Sequence, residues 1–357
     1  MSAPALSFVL IGFGHVGQRF VRLLFEVAER LDFEWRVVAI STRRHGSAID
    51  ANGLDVARAL ALTEAGESLS ALDPATVERS GLDVLRQSAR VLADEAAEGR
   101  VICIESTVLD IDHGEPAVSH VRAALEAQMH VVTVNKGPAA FAYDALESLA
   151  DAMDRVFFFE GAVMDGVPVF NLVRETMPAV RIDGFRGVIN TTSNFILSAL
   201  ERGQPFDDAV REMQARGIAE ADPSLDIEGW DAAAKSAAIV NVLMGGSMTP
   251  HQVARAGIGE VKQADVRDAL DRGRRIRLVA SATRQGSQIV ARVEPEVLGG
   301  DDPLAGLADT ENALYLLTDL LGEVGIVQRE GTLTQTAYAV LSDVSRISVR
   351  LRDWKNR

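Results

Sequence analysis

"FVLIGFGHVGQRFVRLLF", residues 8–25, decides the fold. An apolar strand runs into a glycine-rich turn and out into an amphipathic helix, so Gly12, Gly14 and Gly17 stand as G-x-G-x-x-G in the context that gives each glycine a task. Gly12 permits the tight turn, Gly14 lets the backbone approach a pyrophosphate, and Gly17 allows the helix to pack closely on the strand. The helix N-terminus adds amides and partial positive charge. Gly12, Phe13, Gly14, His15, Val16 and Gly17 are therefore the candidate phosphate-binding residues. The alternative is a glycine-rich turn that holds no ligand.

Outward from this turn, β-like runs alternate with helical stretches. "LSFVLI", a helix over 15–31, "WRVVAIS", helical segments between 55 and 98, "RVICIES", a helix over 116–128, "HVVTV", a helix over 138–153 and "RVFFFE" follow one another. That order predicts an α/β fold: a Rossmann-type, doubly wound parallel sheet covered on both faces. After residue 160 the texture changes. Helices are expected over 192–202, 206–216, 229–244 and 262–272, then "RIRLVASATR", "SQIVARVEPEVL" and "NALYLLTDL", and a last helix over 334–348. Strands that follow one another without helices predict a second α+β domain for substrate binding and dimerisation. The expected boundaries are 1–158 for the dinucleotide-binding domain, 159–318 for the second, and 319–357 for a C-terminal segment that returns to the first.

Composition limits the function. At 357 residues the chain exceeds the usual single core, and 47% apolar residues make it globular. The net charge of −15 argues against nucleic acid and anionic membranes as partners, since both are bound by clustered Lys and Arg. Neither a signal-peptide pattern nor an apolar run long enough to span a bilayer is visible, so a cytoplasmic protein is expected. The single Cys103, inside "RVICIE", reads as a buried strand residue. Six scattered histidines show no metal-ligand spacing, and no metal is expected.

Cofactor choice is read at the end of the second strand, where an acid on the ribose hydroxyl would signal NAD. The chain has "ISTRRHG" there, and Ser41, Thr42, Arg43 and Arg44 suit a 2′-phosphate, which favours NADP over NAD. The other reading is that the arginines face solvent. "VVTVNKGPAA" places Asn135 and Lys136 past a strand, at the carboxyl edge where such sheets bind ligands. Lys136 is either an exposed loop charge or a group aimed at the nicotinamide and substrate. Thr107, past "RVICIE", joins Asn135 and Lys136 in the expected cofactor set. In "DIEGWDAAAK" (226–235), Asp231 and Lys235 are one helical turn apart with three alanines between them, so they leave one face of a helix. As a surface pair this is worth about 0.3–0.5 kcal/mol.

"VNKGP", "EGAVMDGVP" (160–168), "GVINTTSNFIL" (187–197) and "GIAEADPSLDIEGWDAAAK" (217–235) occur in one order between Gly12 and "TAYAVLSDVSRI". In these segments the chain resembles the homoserine dehydrogenases, in a short form without a C-terminal regulatory domain. The resemblance implies an oxidoreductase that interconverts homoserine, or a similar small hydroxy amino acid, and its aldehyde by hydride transfer with NADP or NAD. It makes Lys235 the proton donor and acceptor, Lys136 a second lysine at the reacting end, and Asp231 the group that orients Lys235. Glu220, Asp226 and Thr192 become substrate-binding candidates, Glu220 and Asp226 for the ammonium, although "EADPSLD" also reads as a polar loop. A homodimer is implied. A dinucleotide-binding sensor without turnover is the competing class, and the kept lysines speak against it.

The match departs from the family's pattern at three places. Thr191 stands where a glycine is usual, "REGTLTQTA" replaces a glycine-rich loop and keeps only Gly331, and Asp165 replaces a small residue beside backbone carbonyls (160–165) suited to a monovalent cation. These departures bear on the substrate more than on the reaction type.

Overall fold

The computed structural model describes residues 4–73, 79–216 and 222–354. The first part of the chain contains β1 (Ala5–Ile11), α1 (His15–Glu26), β2 (Glu34–Ser41), β3 (Ser47–Ile49), α2 (Val56–Glu64), α3 (Gly81–Val91), α4 (Ala93–Ala97), β4 (Val101–Glu105), α5 (Ala117–Glu126), β5 (His130–Thr133), α6 (Lys136–Phe141), α7 (Tyr143–Ala152) and β6 (Phe157–Phe158). Then come α8 (Phe170–Thr176), β7 (Ile182–Val188), α9 (Thr191–Glu201), α10 (Phe206–Ala215), α11 (Ser224–Ile227), α12 (Trp230–Met244), β8 (Ala254–Arg255), α13 (Gln263–Asp271), β9 (Arg275–Gln285), β10 (Gln288–Leu298), β11 (Asn312–Thr318), β12 (Gly322–Gln328) and α14 (Leu333–Trp354). The chain divides into two compact units: Met1–Pro138, Ala142–Val167 and Thr332–Arg357 form the first, Ala139–Phe141 and Pro168–Gly331 the second.

The first unit is built on a sheet ordered β3-β2-β1-β4-β5-β6, parallel throughout except for β3, which pairs antiparallel with β2. Leu6, Phe8 and Leu10 of β1 share one buried cluster with Phe20 and Leu24 of α1 and with Val340, Val344 and Ile347 of α14. Val9 and Ile11, also buried, point to the opposite face by strand alternation, where α3 and α5 pack. Each buried Phe, Leu or Ile contributes about 1.5–3 kcal/mol, so α14 is an integral part of this core. The doubly wound parallel sheet expected from the sequence is present.

The two interior boundaries of the structure's units lie nine and thirteen residues beyond where the sequence suggests. Residues 159–167 belong to the first unit because α14 holds them: the amide of Glu160 donates to Asp343 Oδ2 (3.0 Å), and the Thr336 hydroxyl donates to Asp165 Oδ1 (3.0 Å). Residues 322–328 form β12, an edge strand of the other unit, so the return begins at Thr332 and not at 319. Thr332 starts α14 with a reciprocal cap, its amide donating to Gln335 Oε1 (3.0 Å) and its hydroxyl accepting from the Gln335 amide (3.3 Å).

The second unit has a sheet ordered β12-β11-β7-β9-β10-β8, antiparallel except for the β8–β10 pair. Helices α9 and α12 pack on it. Ala232, Ala233, Ala234, Ala237 and Ala238 of α12 are all buried, so the helix is apolar nearly all round, as a helix enclosed by protein should be. Its polar exceptions include Asp231 and Lys235. Among the described residues, no helix is long and apolar enough to cross a membrane.

Candidate active site

In the first unit the chain leaves β1 through Gly12, whose φ of +93° is open to glycine and strained for other residues. A Cβ there would stand 2.6 Å from the Ser106 carbonyl oxygen, which fixes the turn as glycine on two counts. The Gly12 amide donates to the Ser41 carbonyl (2.9 Å) and Ser106 Oγ donates to the Gly12 carbonyl (3.1 Å), so the ends of β1, β2 and β4 are tied together. Gly14 differs: a Cβ would meet no atom within 4 Å, and the residue caps α1 without a side chain. Phe13 is buried, His15 is exposed, Val16 is half-buried and Gly17 is buried in α1. No acidic residue occupies the first turn of α1, so no carboxylate there repels an anion. These residues fit a dinucleotide's pyrophosphate.

Arg43 and Arg44 lie on the hairpin between β2 and β3, where the Thr42 amide donates to the Gly46 carbonyl (2.9 Å). Both are exposed, and neither guanidinium has a hydrogen bond or ion pair among the described residues. Ser41 is buried at the strand end. The hairpin therefore presents two cations that no carboxylate among the described residues neutralises.

A fully buried carboxylate organises the next strand end. Glu105 accepts from the Thr107 amide (3.0 Å) and hydroxyl through Oε1, and from Thr133 Oγ1 (2.7 Å) through Oε2. Thr133 Oγ1 accepts in turn from the Asn135 amide (3.0 Å), Asn135 Nδ2 donates to the Thr107 carbonyl (3.0 Å), and Asn135 Oδ1 caps α6 at the Gly137 amide (2.8 Å). Thr107 and Asn135 are thus brought together, and Lys136 follows as the first residue of α6. Glu105, which anchors the set, was missed by sequence reasoning because a single acid ending an apolar run carries no periodic signal.

In the second unit Asp226, Asp231, Thr192 and Lys235 converge. Lys235 Nζ lies 2.9 Å from Asp231 Oδ2 and donates to the Ile189 carbonyl at 2.7 Å, with both charged side chains about 15% exposed. Asn190 Nδ2 donates to Asp226 Oδ1 (2.6 Å) and to Asp231 Oδ2 (2.9 Å). Burial and then the Asp231 charge push the Asp226 carboxyl above the usual carboxylate range, while hydrogen bonds from Asn190 and Thr192 and the charge of Lys235 pull the other way. This is not the solvated helix pair of the minimal reading. Asn190 is a second residue the sequence did not single out; an Asn just before a helical run is an N-cap signal, and the Ser193 amide does donate to its Oδ1 (2.8 Å). Glu220 lies outside the described residues.

Thr191 begins α9, where its Oγ1 accepts from the buried Asn312 Nδ2 (2.8 Å). The extra side chain relative to glycine is thereby held by β11. Asp165 has φ +48° and its carboxylate is engaged by Thr336, so the side chain is directed to α14. Among the described residues no cluster of three or more His, Cys, Asp or Glu could hold a metal ion. Cys103 is fully buried and burial raises its thiol pKa, which makes it inert.

A sequence profile described as homoserine dehydrogenase matches residues 168–345. An NAD(+)-dependent homoserine dehydrogenase of Pseudomonas canavaninivorans is 36% identical over 343 residues, 95% of each chain. The homoserine dehydrogenase of Methanocaldococcus jannaschii is 34% identical over 346 residues, 96% of this chain and 98% of the relative. Among solved structures, homoserine dehydrogenase from Thermoplasma acidophilum superposes with a TM-score of 0.80 at 25% identity, covering 97% of this chain and 99% of the other. A hyperthermophilic archaeal homoserine dehydrogenase in complex with NADPH gives 0.77 at 28% identity, with 97% and 98% covered.

Proposed function

The chain belongs to the homoserine dehydrogenase family, and from that premise we propose that it interconverts homoserine and its aldehyde with NADP or NAD. The observation that carries the reading is the cluster in which one lysine and two aspartates meet around Asn190. Oxidation of a primary alcohol removes a hydride from carbon and a proton from oxygen, and the bound nicotinamide is the hydride acceptor. This chain must handle the proton and hold the amino acid.

Lys235 is the group for the proton. Two of the three N–H bonds of its ammonium are directed to Ile189 and Asp231, which fixes the nitrogen and leaves the third for a substrate oxygen. In aldehyde reduction the ammonium gives its proton to the forming alkoxide; in the reverse direction the amine takes it back. Asp231 keeps the amine oriented. Asp226, the second carboxylate, receives the substrate ammonium, with Thr192 donating to it; Glu220 is assigned the same role. Lys136 is the second lysine at the reacting end. In the first unit, residues 12–17 hold the pyrophosphate, Thr107 and Asn135 the ring-side groups, and Ser41, Arg43 and Arg44 the ribose end, where the unneutralised arginines support NADP.

The protein is proposed to act in the cytoplasm as a homodimer. Support for self-association is β12, an edge strand carrying exposed Val327, with exposed Leu320 and Leu321 at the turn before it. Sedimentation velocity tests it, and a monomer at micromolar concentration would refute it. For the activity, L-homoserine is added with NADP or NAD and absorbance is followed at about 340 nm, where the reduced nicotinamide absorbs. No growth with homoserine, but growth with another small hydroxy amino acid, would change the substrate and keep the reaction. Dinucleotide binding without turnover of any of them would leave a sensor.

A further inference from the structure

The side chain of Asn190 reaches both Asp226 and Asp231 with one nitrogen. Its two ends have unlike duties. Oδ1 accepts from the Ser193 amide at 2.8 Å and caps α9, while Nδ2 donates at 2.6 Å to Asp226 and at 2.9 Å to Asp231. Flipping the amide would set an oxygen against two carboxylates and an NH2 group against an N–H, so its orientation is locked from both sides.

The charges explain why such a residue is needed. Two carboxylates touch a single nitrogen in a partly buried pocket, and the cation beside them, Lys235, pairs with Asp231. Asp226 has no ion-pair partner among the described residues. The groups that act on it are Asp231 and Lys235 from α12, and Asn190 and Thr192 from the start of α9. Two aspartates and one lysine carry a net charge of −1, which a primary ammonium would balance.

We propose that Asn190 is a positioning residue that keeps Asp226 and Asp231 as two distinct anions, one committed to Lys235 and the other held open for the substrate's ammonium. The proposal rests on the functional reading above. Without the amide, the two carboxylates repel directly, and the cheapest relief is a proton shared between them or a shift of Lys235 to a position between them. Either outcome takes Asp226 out of ammonium binding, the first increasingly as pH falls.

The test keeps the cap and removes the bridge. Asn190→Ser retains an N-cap oxygen for the Ser193 amide but has no group that reaches both aspartates; Asn190→Asp also caps well and adds a third carboxylate. Relative to wild type, kcat/KM for homoserine is expected to fall about tenfold in Asn190→Ser, mostly through KM, with the acid limb of its pH profile moved to higher pH and dinucleotide Kd unchanged. Asn190→Asp should move the limb further. Separately from turnover, the carboxyl 13C shift of Asp226, identified by its loss in Asp226→Asn, should titrate at a higher midpoint in either variant than in wild type. Unchanged limb and unchanged 13C midpoint in Asn190→Ser would overturn the proposal, and should that variant not fold, the same comparison is made with Asn190→Asp. If wild type does not turn over homoserine, the functional reading fails while the 13C titration still decides the role of Asn190.

Discussion

Lys235 Nζ donates to the carbonyl oxygen of Ile189 at 2.7 Å, so the amine on α12 is fastened to the residue just before the one that caps α9. Packing alone would place the nitrogen no better than a long, flexible stem allows; the carbonyl and Asp231 together fix it in two directions. Lys235→Ala is expected to lower kcat by about 10²–10⁴-fold with dinucleotide affinity near wild type. Lys235→Arg keeps the cation but cannot release a proton near neutral pH, and should lose comparable activity. Steady-state rates for both variants check this: recovery of turnover in the arginine variant would mean that the lysine supplies charge and no proton.

Gly12 and Gly14 are two residues apart and should fail in different ways. Gly12→Ala forces a methyl against the Ser106 carbonyl at φ +93°, which should cost about 1–3 kcal/mol of stability before any ligand is added. Gly14 has φ −80° and open space around its Cα, so Gly14→Ala should melt close to wild type. Its methyl would instead stand where a pyrophosphate approaches, and dinucleotide Kd should rise about tenfold or more. Thermal melts of the ligand-free variants, with fluorescence titration of the dinucleotide, separate the two effects. Undiminished binding by a stable Gly14→Ala would show that the phosphate does not come near this residue.

Arg43 and Arg44 stand on a hairpin where no carboxylate among the described residues satisfies them. Replacing both with Ala should weaken NADP binding about tenfold to a hundredfold, as expected for loss of charge-assisted contacts, and leave NAD nearly unaffected. Adding salt should shrink the difference between the cofactors, because exposed charges are screened. Parallel titrations with the two cofactors decide it, equal losses for both being the result that removes these arginines from phosphate recognition.

What the sequence makes legible is whatever repeats or sits in a fixed frame. The strand, turn and helix of residues 8–25 are read directly, because periodicity and glycine spacing report on local backbone. Asp231 and Lys235 share a face for the same reason. By contrast β7, the strand between β9 and β11, escapes notice because "IDGFRGV" breaks its alternation at Gly184 and Gly187. Cβ atoms at those glycines would strike the carbonyls of Ala282 and Ala313 at 2.6 and 2.5 Å, a requirement set by residues about a hundred positions away. The contacts that make Asn190 and Glu105 matter escape notice likewise. They run to partners 28 to 41 residues distant, and no local pattern encodes them, although the cap made by Asn190 is itself a local signal. The start of α14 does have a local signature: "TLTQ" (332–335) is a capping-box sequence, and Thr332 and Gln335 form the reciprocal cap.

His130 gives the first unit a dependence on pH that is separate from the site chemistry. It is buried at the start of β5, where Nδ1 accepts the Val156 amide at 3.1 Å and so must be unprotonated. Burial, with Arg155 and Arg350 adding repulsion, lowers its pKa to about 3 despite an opposing contribution from Gly99. An unfolded chain has this imidazole near its ordinary value of about 6.5. Between those values the unfolded state binds the extra proton, so stability is complete above the unfolded pKa and declines as pH falls, by up to about 1.4 kcal/mol per unit. In His130→Asn, whose side-chain oxygen can still accept from Val156, stability at pH 7 should be lower, and the decline between about pH 6.5 and 5 shallower by close to one proton. Urea unfolding at several pH values over that range measures both slopes. Parallel slopes would mean that His130 takes up its proton inside the folded protein, and that the core around β5 opens far more readily than its packing indicates.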